Sequence, residues 1–246
     1  MNLFSLHGKT ALVTGASRGL GAEIALGLAE AGADLIITAR SLQALGPTTA
    51  ALQAMGAKVT AMALDQGGGD FSALEGLAVD ILVNNAGVEE VRPSVDVTPE
   101  LWDRILDTNL KGAFFTTQAL ARGMIARGRG SVINLCSLTS FVGVPTAAPY
   151  GSSKSGLLGM TRALSAEWAG QGVRVNAIAP GYFRTDLTEV FYRDEDWAEA
   201  MRAKIPQGRF GRGEDLVGAV VFLGSEASTY ITGQCIGIDG GYLAAI

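Results

Sequence analysis

The chain has 246 residues, of which 48% are hydrophobic, enough to bury the core of one large α/β domain or two small ones. Its formal net charge of −5 gives no basic surface of the kind that binds nucleic acid, and its apolar runs are far shorter than the roughly 20 residues that cross a bilayer. The single histidine, His7, lies near the N-terminus, which argues against a Ser-His-Asp hydrolase and against a zinc site built on histidine and cysteine.

The N-terminal residues carry no basic stretch followed by an apolar one, so we expect no signal peptide and a soluble cytoplasmic protein. Cys136 and Cys235 both lie in apolar stretches and are predicted to be buried free thiols, with no disulfide and no metal site. Proton transfer therefore has to use tyrosine, lysine or carboxyl side chains.

Short apolar runs predict four strands in the first part of the chain, at residues 9–14, 33–39, 59–64 and 79–83. Between them, apolar residues recur at helical spacing over 20–28, and a second helix is predicted from roughly 42 to 55. The glycines at 67–69 are typical of a loop within a domain, and no linker or repeat divides the chain.

A long helix is predicted to begin near Thr98, which offers an N-cap followed by Pro99 at the first helical position. Further strands are predicted at 131–135, 173–178 and 235–238, with another long helix from Tyr150 to about 169. Alternating strands and helices predict an α/β fold. We expect a single Rossmann-type domain over 1–246, a doubly wound parallel sheet of about seven strands with helices on both faces.

A glycine-rich loop at 14–21 lies between the first predicted strand and the first predicted helix. Glycines there allow a tight turn and close approach of the backbone to a ligand, and the free N–H groups of the following helix suit a pyrophosphate. The alternative is an ordinary loop. The predicted cofactor-binding residues of this loop are Gly15, Ser17, Arg18, Gly19, Leu20 and Gly21.

The end of the second strand discriminates between dinucleotides, since an acidic residue there would bind the ribose 2′-hydroxyl of NAD. This strand ends at Arg40 with no acid in the turn, and Arg18 supplies a second guanidinium nearby. Two arginines suit a 2′-phosphate, which favours NADP(H), with NAD(H) as the alternative. Both arginines would otherwise be solvated surface residues.

Tyr150 and Lys154 lie four residues apart in a predicted helix, so their side chains share one face. An ammonium fixed beside a phenol favours the phenolate and is expected to lower the pKa of Tyr150. Such a tyrosine can donate and accept protons at neutral pH. A surface lysine over a half-buried tyrosine is the alternative interpretation of this pair alone.

These motifs together resemble the short-chain dehydrogenase/reductase family, and the resemblance runs essentially from end to end. Asn109, Ser137, Tyr150 and Lys154 match its four catalytic positions in the same order. The resemblance implies a proton donor in Tyr150 and a substrate-oxygen contact in Ser137, for which an N-cap or turn is the alternative. It implies a water-holding role for Asn109, whose alternative is a buried amide satisfied by helix backbone.

The same resemblance implies further contacts with the cofactor. Asp65 matches the residue that contacts the adenine ring, residues 84–87 match a segment beside the adenosine, and the turn from Pro180 to Thr185 resembles one that closes over the nicotinamide. Residues 239–241 resemble the usual end of the C-terminal strand. Beyond the glycine loop, the predicted cofactor-binding residues are Arg40, Asp65, Gln66, Asn85, Ala86, Gly87, Tyr150, Lys154, Pro180, Gly181, Phe183 and Thr185.

Two departures from the family pattern concern the segment after the third strand. Only 18 residues separate Asp65 from Asn84, which predicts a shortened helix on one face of the sheet. Gln66 also replaces the usual small apolar residue beside Asp65.

Segments 4–9, 133–137 and 179–185 are similar to gluconate 5-dehydrogenase-like members, which implies a sugar acid or similar polyol as substrate. Its carboxylate would need a cation, for which Arg92 and Arg184 are candidates. Glu89 and the adjacent Glu90 would repel it, unless these charges are solvated at the rim. A mixed helical segment near 182–206 is expected to act as a substrate lid.

Two other functions remain open at this point. The same architecture serves reduction of a 3-oxoacyl thioester, and a nucleotide-sensing protein without catalysis is a third interpretation. The family resemblance also implies a homotetramer assembled through the two long helices. The small-molecule carbonyl or alcohol substrate is the other expected partner, with no nucleic acid and no membrane.

Overall fold

The computed structural model describes residues 3–184, 192 and 194–246. The strands are Thr10–Thr14 (β1), Asp34–Ala39 (β2), Val59–Ala63 (β3), Ile81–Asn84 (β4), Gly130–Leu135 (β5), Val173–Pro180 (β6) and Cys235–Ile238 (β7). All pair in parallel in one sheet, in the order β3-β2-β1-β4-β5-β6-β7. The predicted seven-stranded α/β fold is confirmed.

Helices flank the sheet on both faces. Within the described ranges they are Gly19–Glu30 (α1), Gly46–Ala54 (α2), Pro99–Leu106 (α3), Gly112–Arg127 (α4), Ala148–Trp168 (α5), Glu195–Ala203 (α6) and Glu214–Gly224 (α7). Helices α1 and α7 pack against each other on one face of the sheet, whereas α4 and α5 cover the central strands on the other face.

The five inner strands appear as nearly continuous apolar runs because both of their faces are buried, whereas the edge strands β3 and β7 are partly exposed. In β1, Ala11 and Val13 belong to the core cluster beneath α1 and α7, while Leu12 between them faces the cluster beneath α4. This period of two is the pleat of a strand covered on both sides. β4 repeats it, since Val83 joins the first cluster and Leu82 the second.

The long helix predicted from Thr98 is present but interrupted. The hydroxyl of Thr98 accepts a hydrogen bond from the N–H of Leu101 at 3.3 Å, so the predicted N-cap is confirmed. Between α3 and α4 the backbone forms one π-helical turn, Asp107–Lys111, with Asn109 buried inside it. Such turns are rare and frequently occur at functional sites.

The expected shortening after β3 is also confirmed. A single 3₁₀ turn, Ser72–Leu74, replaces a full helix between β3 and β4. The residues of β3 accordingly remain partly exposed or exposed, unlike those of β4. The ring of Phe71 from this segment stacks on Phe115 of α4, with centroids 6.0 Å apart.

None of the helices in the described ranges has the length and apolar character needed to cross a membrane. The two thiols are free; Cys136 is buried, whereas Cys235 is partly exposed and so is less buried than the sequence predicted.

Candidate active site

The carboxyl ends of four central strands converge on one edge of the sheet. The strand order reverses at β1, whose neighbours are β2 and β4, and ligands of open α/β sheets bind at such a reversal. Gly15 follows β1, Asn85 follows β4, Ser137 lies just beyond β5 and Gly181 follows β6. Residues far apart in the sequence therefore line one cleft.

The glycine loop forms the tight turn that the sequence predicts. Gly15 and Gly19 have positive φ values of 65° and 54°, a region that side chains disfavour. Arg18 is the N-cap of α1 but provides no side-chain cap, and no acidic residue lies in the first turn. No side chain at the N-cap therefore competes for the N–H groups at this helix end, which suit a ligand such as a phosphate.

Thr14, which sequence reasoning passed over, ties the glycine loop to the end of β4. Its hydroxyl accepts hydrogen bonds from the backbone N–H groups of Asn85 and Ala86, both at 3.0 Å. The Asn85 amide in turn donates to the backbone oxygens of Thr14, at 2.8 Å, and Gly15, at 3.1 Å. Asn85 therefore braces the turn. The position of Thr14 directly before the glycines was the available signal.

We expect Gly21→Ala to weaken dinucleotide binding at least about tenfold. A Cβ at position 21 would lie 2.3 Å from the Asn85 side-chain nitrogen and 2.4 Å from the Gly15 oxygen, so the turn would have to open. Overpacking of this kind costs roughly 1–3 kcal/mol. Fluorescence titration with NADPH measures the effect. Gly46→Ala is the matched control, since a Cβ there meets nothing within 4 Å; equal affinity of both variants would contradict the role of the turn.

The charged residues predicted to contact the adenosine lie beyond β2 and β3 and in the glycine loop. Arg40 follows β2 and is exposed, as is Arg18 in the glycine loop. Asp65 is exposed beyond β3, and its Oδ1 accepts a hydrogen bond from the N–H of Gly67 at 3.1 Å. Gln66 differs, because its side chain is buried and donates to Thr116 of α4 at 2.8 Å. Any cofactor contact of Gln66 would have to come from its backbone.

Tyr150 and Lys154 share one face of α5, as their spacing predicts. The Lys154 nitrogen lies 5.6 Å from the centre of the Tyr150 ring and donates to the Leu135 oxygen, at the end of β5, at 2.6 Å. Lys154 is 5% exposed. The Tyr150 phenol is hydrogen-bonded to Ser137, which joins three of the four predicted catalytic residues.

Ser137 combines the two roles that the sequence left open. Besides its bond with Tyr150, its hydroxyl accepts from the N–H of Thr139 at 3.3 Å and caps a short 3₁₀ turn, Leu138–Ser140. The hydroxyl of Ser140 donates to the Lys154 backbone oxygen at 2.9 Å, so this turn is attached to α5. The cap thus fixes the serine beside the tyrosine.

Asn109, in the π-helical turn, clamps the loop that follows β4. Its Oδ1 accepts from the Val88 N–H at 2.8 Å, and its amide donates to the Val88 oxygen at 2.9 Å and to Ser153 at 3.1 Å. Ser153 donates to the Tyr150 backbone oxygen at 2.7 Å. These partners belong to neither sequence interpretation of Asn109, and its water-holding role stays a prediction. Ser153 was missed, although it lies three residues after Tyr150.

The pKa of Tyr150 is shifted in the direction opposite to the one expected from the sequence. The pKa of Tyr150 is raised above its ordinary value, first by burial and then by the charge of Glu89, while the hydrogen bond with Ser137 acts in the opposite direction. Burial lowers the pKa of Lys154, which therefore holds its proton less firmly than an exposed lysine. Lowering of the Tyr150 pKa by Lys154, as expected from spacing alone, is not observed, because burial acts on both groups.

The segment after β6 closes the other side of the cleft. The Gly181 N–H donates to the Ile238 oxygen at 2.8 Å, and a Cβ on Gly181 would lie 2.6 Å from the Asp239 Cα. Phe183 is buried against Gly211. Among the other predicted cofactor-binding residues, Pro180 ends β6 and Ala86 and Gly87 follow Asn85. Ser17 precedes α1 in the glycine loop, and Leu20 lies in the first turn of α1.

Part of the predicted lid falls in the described chain. Trp197 of α6 packs edge to face against Tyr182, with centroids 5.9 Å apart, and Tyr182 packs in the same way against Tyr242 at 5.3 Å. Thr185 and the apolar residues Leu187, Val190 and Phe191 lie outside the described residues. Movement of the 182–206 segment stays a prediction.

Comparison with known proteins agrees with this geometry. The family model described as Enoyl-(Acyl carrier protein) reductase matches residues 15–243. The chain is 38% identical over 253 residues to gluconate 5-dehydrogenase of Gluconobacter oxydans, covering 100% of this chain and 98% of that protein.

Two solved structures superpose closely. A Sinorhizobium meliloti protein, named for a short-chain alcohol dehydrogenase, has 56% identity and a TM-score of 0.95, covering 99% of this chain and 100% of that one. A gluconate 5-dehydrogenase from Burkholderia cenocepacia, in complex with NADP and tartrate, has 36% identity and a TM-score of 0.95, covering 100% and 99%. The chain belongs to the short-chain dehydrogenase/reductase family.

Proposed function

We propose that the protein is an NADP(H)-dependent oxidoreductase that interconverts a secondary alcohol and a ketone on a sugar acid or a related polyol. The proposal depends above all on the contacts of Tyr150 with Ser137 and Lys154 beside the cleft that the glycine loop lines. The Gluconobacter and Burkholderia relatives, named for oxidation of gluconate, support the substrate class.

The described residues fit a dinucleotide phosphate. The cradle at Gly15 and Gly21 has no room for a Cβ, and the end of α1 has no competing side-chain cap. Arg18 and Arg40 would hold the 2′-phosphate, and Asp65 would face the adenine. The relative with bound NADP supports this choice. When bound, the nicotinamide supplies or accepts the hydride.

The chain's own groups handle the proton and the developing charge. In the reductive direction Tyr150 donates its phenolic proton to the carbonyl oxygen, and Ser137 stabilises the charge that develops there. In the oxidative direction the phenolate of Tyr150 accepts the proton of the alcohol, and the raised pKa noted above opposes formation of that phenolate. Lys154 would give up its hydrogen bond to the Leu135 oxygen and bind the nicotinamide ribose. In the reductive direction it would then return a proton to Tyr150.

We infer that residues 1–246 form one catalytic domain, supported by a sheet with strands from both ends of the chain. We also infer a homotetramer, supported by an apolar groove along α3, α4 and α5 lined by Leu106, Leu110, Phe114, Phe115 and Met160. Light scattering, which measures the mass of the assembly in solution, tests for the homotetramer.

A cytoplasmic location is inferred from the free thiols, and fractionation of cells tests it.

The proposed function is tested by a substrate screen. We expect NADPH oxidation with keto sugar acids or ketoses and NADP⁺ reduction with the corresponding alcohols, with kcat/KM at least about tenfold above that for 3-oxoacyl thioesters or simple ketones. Absorbance of NADPH follows the reaction. Fastest turnover of an oxoacyl thioester would redirect the assignment to acyl reduction, and turnover of none would favour a nucleotide sensor.

A further inference from the structure

The loop after β4 brings one carboxylate to the reaction centre. A Cβ on Gly87 would lie 3.3 Å from the Asn109 Oδ1 and 3.7 Å from the Lys154 nitrogen, so this loop passes directly beside the catalytic residues. Glu89 comes two residues later. The backbone of this loop is therefore a wall of the substrate site.

Glu89 is held in place from both sides. Its neighbour Val88 has both backbone groups bound by Asn109, as described above. On the other side, Glu90 forms ion pairs with Arg92 and Arg104. These contacts fix the backbone of the loop, and they also occupy Arg92, one of the two cations considered for a substrate carboxylate.

Among the described residues, none pairs with the Glu89 carboxylate in an ion pair or a hydrogen bond. The side chain is half-buried, and its charge acts on Tyr150 and Lys154 of α5 and on Tyr182 after β6. The Glu89 carboxylate therefore faces the cleft that is lined by both α5 and the segment after β6. A half-buried carboxylate in this position would accept hydrogen bonds from substrate hydroxyls and repel a substrate carboxylate.

We propose that Glu89 is a specificity-determining residue that binds hydroxyl groups flanking the reacting carbon and excludes a carboxylate from that position. The inference rests on the proposed function and narrows it. Polyols and sugar acids whose carboxylate is remote from the reacting carbon are accepted, and 2-oxo acids are rejected. A sugar acid thus enters with its uncharged end toward Tyr150.

Three ketone probes separate charge from shape. D-fructose and 2-keto-D-gluconate differ only in a CH₂OH or a carboxylate next to the carbonyl, whereas 5-keto-D-gluconate carries the carboxylate far from its carbonyl. We expect the wild-type enzyme with NADPH, near pH 8, to have its lowest kcat/KM on the 2-keto acid. Glu89→Gln should raise that value about tenfold relative to both other probes, since one repulsive charge is removed.

Asp96→Asn is the matched control, because it removes one exposed negative charge from the same loop. It should leave the ratio of the three probes unchanged. Equal effects of Glu89→Gln on all three probes, or an equal shift of the ratio in Asp96→Asn, would overturn the assignment of Glu89 while leaving the proposed function intact.

Calorimetric binding to the enzyme loaded with NADP⁺ gives the same comparison independently of turnover. The selective gain of 2-keto-D-gluconate in Glu89→Gln supports the proposal in this readout too. Absence of binding for all three probes to both proteins would refute the proposed function and the role of Glu89 together.

Discussion

Replacing Tyr150 by phenylalanine is expected to lower turnover by roughly 10²–10⁴-fold, the usual contribution of a positioned proton donor. The variant removes one oxygen atom and keeps the ring beneath the Lys154 nitrogen, so the packing at this end of α5 should be preserved. Steady-state rates with NADPH and the best substrate of the screen measure the loss. Fluorescence titration should give an NADPH affinity close to that of the wild type.

The pH dependence distinguishes loss of the proton donor from a general disturbance. Burial and Glu89 raise the pKa of Tyr150, so the wild-type rate of alcohol oxidation should rise with pH into the alkaline range, where the phenolate forms. Lys154, Cys136 and Ser137 are the other groups near this phenol. The phenylalanine variant should lose the rise. Tyr230→Phe, at a fully exposed tyrosine, is the control, and near-wild-type turnover of Tyr150→Phe would remove the basis of the mechanism.

Most of the sheet was predictable because the five strands between the two edge strands are buried on both faces, and each of them appears as an apolar run between turns. The predicted bounds of the strands differ from the observed ones by at most two residues, as at β4, which begins at Ile81 and not at Val79. Most of the site was predictable for a related reason. The chemistry demands glycines at the turn and a tyrosine and lysine on one helical face, and these residue types are visible in the sequence.

The features that were not predicted depend on contacts between distant segments. No residue between Asp107 and Lys111 indicates a π-helical turn, yet that turn directs Asn109 at Val88. Glu90 pairs with Arg104, fourteen residues away on α3, and this pairing leaves Glu89 as the charge facing the cleft. The direction of the Tyr150 pKa shift depends on burial, which spacing within one helix does not indicate.

Changing Arg40 to aspartate is expected to shift cofactor preference from NADPH toward NADH by at least about 100-fold in the ratio of kcat/KM values. A hydrogen bond between charged groups contributes roughly 1.5–3 kcal/mol, about 10–150-fold, and the new carboxylate would also repel the 2′-phosphate. The same carboxylate, at the end of β2, would accept hydrogen bonds from the ribose hydroxyl of NADH. Steady-state kinetics with both cofactors at a fixed substrate concentration measure the ratio.

The control for this prediction is Lys58→Asp, which makes the same change of charge at an exposed residue. Lys58 precedes β3 and so lies at the amino ends of the strands, whereas Arg40 lies at their carboxyl ends. It should leave the ratio within about twofold, because exposed charges farther apart than about 10 Å are largely screened at ordinary ionic strength. A loss of NADPH preference in both variants would indicate a general effect of net charge. An unchanged preference in Arg40→Asp would leave Arg18 as the phosphate-binding arginine, since it is the other exposed guanidinium at this end of the cleft.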